Sequence, residues 1–193
     1  MGGKRISTDR VATVEKFIDQ MSGRVKQDAK LSEALAALRK KCSQHTIVKN
    51  DSVMLFLVNA LLGTQVAAGV PVQITDKAEK KEALHVISHL VKESMCSTAQ
   101  PEVSWASVGT CLSRLRDLVV GHALDSDLQE ETLTIIQNIL SQMPTDPDNN
   151  KKRQKAIEKL LKWHADNVEI LTEPVKNLAI SITDWLGDKP SGK

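Results

Sequence analysis

Apolar residues recur every three or four positions along most of the chain, which is the spacing of one face of an α-helix. The pattern predicts about eight helices, each with an aliphatic stripe. The stripes cover residues 11–21, 31–42, 53–61, 83–95, 108–119, 128–143, 157–164 and 175–185. Because the linkers between them are mostly short, we expect successive helices to pack as antiparallel neighbours.

Residues at the ends of these stripes predict where helices begin and stop. Gly63 follows the third stripe and is expected to take the left-handed conformation that ends a helix. Thr75 is expected to cap the next helix, and Ser126 with Gln129 has the spacing of a capping box. The last helix is expected to begin near Thr172.

Residues 63–71 interrupt the helical pattern with two glycines and a proline, which favours a loop. The alternative is a short extended stretch, because Val66, Val70 and Val72 are β-branched. No other segment favours a strand.

The predicted fold class is all-α, an irregular bundle of about eight helices. A split near residues 97–103 would divide it into two packed four-helix halves. The alternative is a short armadillo- or HEAT-like solenoid, although no regular repeat of about 40 residues is present. We expect residues 1–63 to form a helical segment packing on the rest, residues 75–187 a helical bundle, and residues 188–193 a frayed tail.

Composition places the chain among ordinary globular proteins, with 41% apolar and only 3% aromatic residues. The 26 Lys and Arg against 24 Asp and Glu give a net charge of +2, which does not favour direct nucleic-acid binding. No apolar run reaches the roughly 18 residues that span a bilayer. The three cysteines, Cys42, Cys96 and Cys111, are widely spaced, so a disulfide framework is not predicted. These features indicate a nuclear or cytoplasmic protein.

Two sequence patterns resemble metal sites and are rejected. His85 and His89 have the i,i+4 spacing of zinc ligands, but the glutamate that a metalloprotease needs is a valine. Asp146, Asp148 and Asn150 match the start of a calcium loop, but lysine replaces the required glycine and isoleucine the final glutamate. We therefore predict no metal, cofactor, catalytic residue or small-molecule substrate. An all-helical enzyme would need a polar pocket that no motif indicates.

A basic run, Lys151, Lys152, Arg153 and Lys155, has the form of a nuclear-localisation signal. The alternative is a solvated helix start. Four cations near a helix N-terminus oppose the macrodipole, which favours a role other than helix stability.

Three segments resemble the N-terminal domain family of transcription elongation factor S-II. They are the helix end Ile139-Leu140-Ser141-Gln142-Met143-Pro144, the penultimate Lys159-Leu160-Leu161-Lys162-Trp163-His164, and the final Asn177-Leu178-Ala179-Ile180-Ser181-Ile182-Thr183-Asp184-Trp185. In the family the tryptophan lies eight residues after the leucine, and here it lies seven, which turns it by about 100° on a helix.

The resemblance implies a non-enzymatic nuclear module that binds short disordered motifs of transcription elongation or chromatin factors. Trp163 and His164 are then the expected contacts, and Lys162 and Lys176 the charge partners of an acidic flank. For Trp163 the alternative is a packing role, since it borders the apolar stripe. The alternative for the whole chain is a cytoplasmic helical scaffold.

Overall fold

The computed structural model describes residues 50–67, 70–96, 105–121 and 124–184. In chain order these residues form α1 (Asn50–Leu62), β1 (Gln65–Ala67), β2 (Val70–Val72), α2 (Lys77–Cys96), α3 (Trp105–Gly121), α4 (Ser126–Gln142), α5 (Pro147–Asn167) and α6 (Glu173–Thr183). The predicted all-α class is confirmed for this part of the chain, apart from one short ribbon. The helices predicted over 11–21 and 31–42, the tail 188–193 and Trp185 lie outside the described residues.

The chain divides into two compact units, Met1–Ser104 and Trp105–Lys193. In the first unit, α1 packs along α2. Buried aliphatic side chains line both helices, namely Met54, Leu57, Val58, Ala60 and Leu61 on α1 and Ala83, Leu84, Val86, Ile87 and Val91 on α2. Gly63 ends α1 with a φ of 72°, so its predicted left-handed conformation is confirmed. The predicted domain boundaries stay predictions.

The segment after Gly63 forms an antiparallel ribbon in which Gln65 pairs with Val72 and Ala67 with Val70. The loop predicted over 63–71 is therefore wrong for the paired residues, and the extended alternative is confirmed. Valine favours extended backbone because its branched side chain restricts its rotamers. Proline is tolerated at position 71 because both strands of a two-stranded ribbon are edge strands.

Aspartates, not the predicted hydroxyl residues, begin two of the helices. The Oδ1 atom of Asp76 accepts a hydrogen bond from the amide of Glu79 at 3.1 Å, so Asp76 and not Thr75 caps α2. Asp125 is the extended residue before α4, and Ser126 already lies inside the helix, so the predicted capping box is wrong. Thr172 does precede α6, as predicted.

The second unit consists of two helical hairpins packed on one another. Within each hairpin the helices are antiparallel: α3 packs on α4, and α5 packs on α6. Between the hairpins, α3 packs on α5 and α4 on α6, whereas the successive helices α4 and α5 are not packing partners. The expectation that successive helices are neighbours is thus confirmed within each hairpin and wrong between them.

Two contacts show that α3 and α5 run parallel. The Lys152 side chain lies over Gly109, where an added Cβ atom would come within 2.9 Å of the lysine Cδ atom. Two turns further along both helices, the Nζ atom of Lys159 lies 3.9 Å from the Oδ1 atom of Asp117. The same carboxylate oxygen accepts hydrogen bonds from the buried Arg116, at 3.0 Å from Nε and 2.8 Å from Nη2.

The start of α5 explains the calcium-like sequence. Asp146 has extended backbone before the helix, and its Oδ1 atom accepts a hydrogen bond from the amide of Asn149 at 3.0 Å. Pro147 fills the first helical position, where no amide donor is needed. Asp146 and Asp148 of the calcium-like pattern therefore lie at the N-terminus of a helix. The amide hydrogen bond from Asn149 holds the pKa of Asp146 below its ordinary value of 3.8.

The lowered pKa of Asp146 predicts how the stability of the folded protein changes in acid. Since the folded state favours the ionised carboxylate, Asp146 contributes stability above pH 3.8, and this contribution disappears as the pH falls through the lower folded pKa. Asp146→Asn keeps a capping oxygen but does not titrate. We expect the difference in urea midpoint between wild type and this variant to shrink from about pH 7 to about pH 2. A difference that does not change with pH would contradict the assignment.

Candidate functional site

Cys111 is a buried, free cysteine of the second unit. Burial raises the pKa of the Cys111 thiol to about 12, so it stays protonated near neutral pH and is a poor nucleophile. Within the described ranges, no three His, Cys, Asp or Glu side chains are grouped as metal ligands would be. No helix in this part of the chain combines the length and apolar character needed to cross a bilayer.

The surface of the second unit is more informative. Five large apolar side chains are exposed among the described residues, and all belong to this unit: Val120, Leu161, Val168, Ile170 and Ile180. Three of the five lie within ten positions, at the C-terminal end of α5 and in the turn that follows. Ile170, in that turn, is 79% exposed. A local concentration of exposed apolar surface is typical of an interaction site.

Leu161 on α5 and Val168, which directly follows the helix, continue an apolar stripe that is buried at its start. Ile157, Leu161, His164 and Val168 follow one another at intervals of four, three and four, so they lie along one side of the helix. Ile157 is 1% exposed, but Leu161 is 44% and Val168 is 41% exposed. Lys152, which contacts α3, lies about half a turn around the helix from Leu161. The uncovered part of the stripe therefore points away from α3.

Helix α6 contributes to the same end of the unit. Ser181 marks the side of α6 that meets α4, because its Oγ atom accepts a hydrogen bond from Gln137 at 2.8 Å. Lys176 and Ile180 are turned away from that side by more than a quarter turn. With a rise of about 1.5 Å per residue on each antiparallel helix, Ile180 stands at about the height of Leu161.

We call this surface the α5–α6 open face. It comprises Leu161, His164, Val168, Ile170, Lys176 and Ile180. Two of its six residues, His164 and Lys176, are partner contacts predicted from the sequence. Lys162 lies outside this face, about 100° around α5 from Leu161 and about 160° from His164. The structure thus places two of the four predicted partner-binding residues on this surface.

Each of these polar residues has a distinct environment. Lys162 is exposed. The Nζ atom of Lys176 lies 3.0 Å from the Oε1 atom of Glu173. His164 is half-buried, and its Nε2 atom is buried without a hydrogen-bond partner in the described part of the chain. A buried nitrogen left unpaired is costly. Because this atom is not exposed, a molecule docked on the surface does not reach it in this conformation.

The fourth predicted contact, Trp163, is a buried residue. Only 7% of it is exposed, and its backbone oxygen accepts a hydrogen bond from Asn167 at 2.7 Å. The packing alternative describes this side chain, and little of its ring is available to a partner in this conformation. Its role as a partner contact stays a prediction.

The localisation-like run lies in the first turns of α5, and two of its four cations make internal contacts. Lys152 covers Gly109, and the Nη2 atom of Arg153 donates to the backbone oxygen of Met143 at 2.6 Å. This hydrogen bond ties α5 to the end of α4. Lys151 and Lys155 are exposed. A role of the run in nuclear import stays a prediction.

The sequence reasoning missed two features of this surface. Leu161 was expected to face inward, and Ile170 was not singled out, although an isoleucine in an otherwise polar turn is a recognisable signal. Outside this surface, four exposed lysines, Lys151, Lys155, Lys159 and Lys162, continue the basic run along α5 at intervals of four, four and three. This alignment could have been predicted from the sequence, because residues three or four positions apart lie on one side of a helix.

The described residues are helical apart from one short ribbon, and their last hairpin carries an uncovered, partly basic face. Among known proteins, no family model, no curated protein and no solved structure matches this chain. The resemblance to the elongation-factor domain therefore stays a prediction.

Proposed function

We propose that this chain is a non-enzymatic protein–protein interaction module that docks a segment of another protein on the α5–α6 open face. The observation that carries the proposal is the group of exposed apolar side chains Leu161, Val168 and Ile170. Among the described residues of the unit, Val120 on α3 is the large apolar side chain that is exposed outside this face. Covering a group of exposed apolar side chains with a partner is favourable because it removes apolar surface from water.

The proposed partners are transcription elongation or chromatin factors, and the proposed location is the nucleus. Support comes from the three resembling segments and from the basic run. Lys162 and Lys176 would attract the acidic flank of a short motif while its apolar side chains cover Leu161 and Ile170.

A cytoplasmic helical scaffold of the armadillo or HEAT kind is the second candidate. It is favoured by the two stacked hairpins of the second unit, in which α3 and α5 run parallel. In such proteins each helical pair contacts only its neighbours, and extended surfaces bind partners.

Affinity capture with the full chain tests both candidates. We expect the double variant Leu161→Ser/Ile170→Ser to recover elongation or chromatin factors from nuclear extract at least about tenfold less well than wild type, because each lost apolar contact weakens binding. Val120→Ser is the matched control, since Val120 is an exposed apolar residue on α3 outside the open face. Circular dichroism should show that both variants fold.

Two outcomes would argue against the nuclear proposal. Equal recovery of these factors by wild type and by the double variant would show that the open face does not dock them. Recovery of cytoskeletal or trafficking proteins through the same face would favour the scaffold.

A further inference from the structure

Four exposed lysines form a row along α5, on the part of its surface next to α3. Lys151, Lys155, Lys159 and Lys162 are spaced by four, four and three residues, so their side chains leave the helix within about a quarter turn of one another. The row is about 16 Å long at a rise of about 1.5 Å per residue. We call it the lysine row.

The lysine row is separate from the α5–α6 open face. Its Lys159 is turned by about 160° around the helix from Leu161, and its Lys151 by about 80°. The Nζ atom of Lys159 lies 3.9 Å from the Oδ1 atom of Asp117 on α3, which fixes the side of α5 that the row occupies. A partner of the row is therefore distinct from the segment proposed for the open face.

The protein itself neutralises little of the charge of this row. Among the described residues, Asp117 supplies the one carboxylate within 4.0 Å of a lysine nitrogen of the row. The same Oδ1 atom accepts hydrogen bonds from Nε and Nη2 of Arg116, at 3.0 and 2.8 Å. Because Arg116 is buried, its charge depends on this carboxylate more than the exposed Lys159 does. One carboxylate shared by two cations leaves the row positive.

Acidic side chains border the lysine row and limit its length. Glu158 lies beside it and accepts a hydrogen bond from Gln154 at 2.8 Å, and Asp166 follows Lys162 by one turn. The positive charge is therefore concentrated between Lys151 and Lys162. Like charges three or four residues apart repel one another and destabilise a helix, so an external anionic group relieves a repulsion that the fold leaves in place.

We propose that the lysine row is a second interaction surface, which binds an extended acidic segment of another protein. In an extended chain, alternate side chains project to one side about every 6.7 Å, and lysines four residues apart on a helix are separated by about 6 Å. About three or four carboxylates on one side of the segment would therefore span the row. Runs of acidic residues remain unfolded through their own repulsion, so such a segment is available in extended form.

The same surroundings favour a protein segment over nucleic acid. Arg116 is paired with Asp117, Arg153 donates to the backbone oxygen of Met143, and Trp163 is buried. Surfaces that bind nucleic acid commonly use arginine forks and exposed aromatic side chains. The net charge of +2 also gives little long-range attraction to a phosphate backbone.

The test measures fluorescence anisotropy with the full chain and three labelled probes. The first probe is a peptide with a run of about eight glutamates, the second has glutamine in place of each glutamate, and the third is duplex DNA. We expect the glutamate peptide to bind, with an affinity that falls as salt is added, and the glutamine peptide not to bind.

Two matched variants assign the binding to the lysine row. Lys151→Gln/Lys155→Gln should weaken the glutamate peptide by about threefold to tenfold, because each exposed ion pair contributes modestly. Lys81→Gln/Lys92→Gln removes the same charge from exposed lysines of α2 and should leave the affinity unchanged. Glutamine is a good helix former, so circular dichroism should show both variants folded. Lys162 is left unchanged because it is also proposed to attract the motif on the open face.

A third variant separates this surface from the proposed function. Leu161→Ser/Ile170→Ser should bind the glutamate peptide as tightly as wild type, because both positions lie on the open face. If this variant loses the peptide, the acidic segment binds on the open face, and the inference is wrong while the proposed function remains.

Three other results would overturn the inference. The first is that the glutamate peptide does not bind. The second is that the two glutamine variants weaken it equally, which would show an effect of net charge and not of the row. The third is tighter binding of duplex DNA than of the peptide, lost in Lys151→Gln/Lys155→Gln, which would identify a nucleic-acid surface.

Discussion

Replacing Trp163 with alanine is expected to lower the free energy of unfolding of the second unit by about 3–5 kcal/mol. Trp163 is 7% exposed on the buried side of α5, so truncation would remove most of a large aromatic side chain from the interior. The hydrogen bond from Asn167 to its backbone oxygen should persist, because it does not involve the ring. Urea unfolding of the full chain, followed by circular dichroism, measures the change.

Trp163→Phe is the control, because it keeps an aromatic ring at the site and should lose much less stability than alanine. A loss below about 1 kcal/mol in the alanine variant would contradict the burial of Trp163. The phenylalanine variant also separates packing from binding. If it folds normally but loses the partner, Trp163 is a partner contact as the resemblance implies.

The case of Trp163 shows why helix faces were harder to predict than helices. The stripe over 157–164 correctly predicts α5, and the expected inward residues included Leu161 and His164. In the structure the inward side is rotated toward Trp163, because α5 packs between α3 and α6 and not against a single neighbour. Sequence spacing determines which residues share a side of a helix, but the neighbouring helices determine which side is covered.

The helix ends show a second limit of prediction from the sequence. Gly63 and Thr172 were predicted correctly because each is the only suitable residue at its position. Near Thr75 and Ser126, an adjacent aspartate can take the same role, and aspartate is at least as good an N-terminal residue. The sequence could not decide between neighbours that differ by a few tenths of a kcal/mol.

The candidate site was predicted only in part, for a related reason. His164 and Lys176 come from two helices, and only the packing of α5 on α6 brings them to one surface of the unit. Lys162 was predicted as a contact but lies on another side of α5. The alignment of the exposed Lys151, Lys155, Lys159 and Lys162, in contrast, involves one helix and depends on spacing alone. It could have been predicted if the basic run had been followed beyond Lys155.

Two adjacent leucines on α5 are expected to contribute very differently to the free energy of unfolding. Leu160 is 0% exposed and Leu161 is 44% exposed, so the same substitution at the two positions tests the orientation of the helix. Leu160→Ala is expected to lower the free energy of unfolding by about 2–5 kcal/mol, through lost burial and the cavity that remains. Leu161→Ala should change it by no more than about 0.5 kcal/mol.

Partner binding should show the opposite order. Leu161→Ala removes apolar surface from the open face, so it should lower the recovery of partner proteins in the affinity capture while the protein stays folded. Leu160→Ala should leave that recovery nearly unchanged under conditions where the variant is still folded, because its side chain does not reach the surface. Urea unfolding and affinity capture measure the two quantities on the same samples. A larger loss of stability at Leu161 than at Leu160 would mean that α5 is turned the other way, with its open stripe in the core.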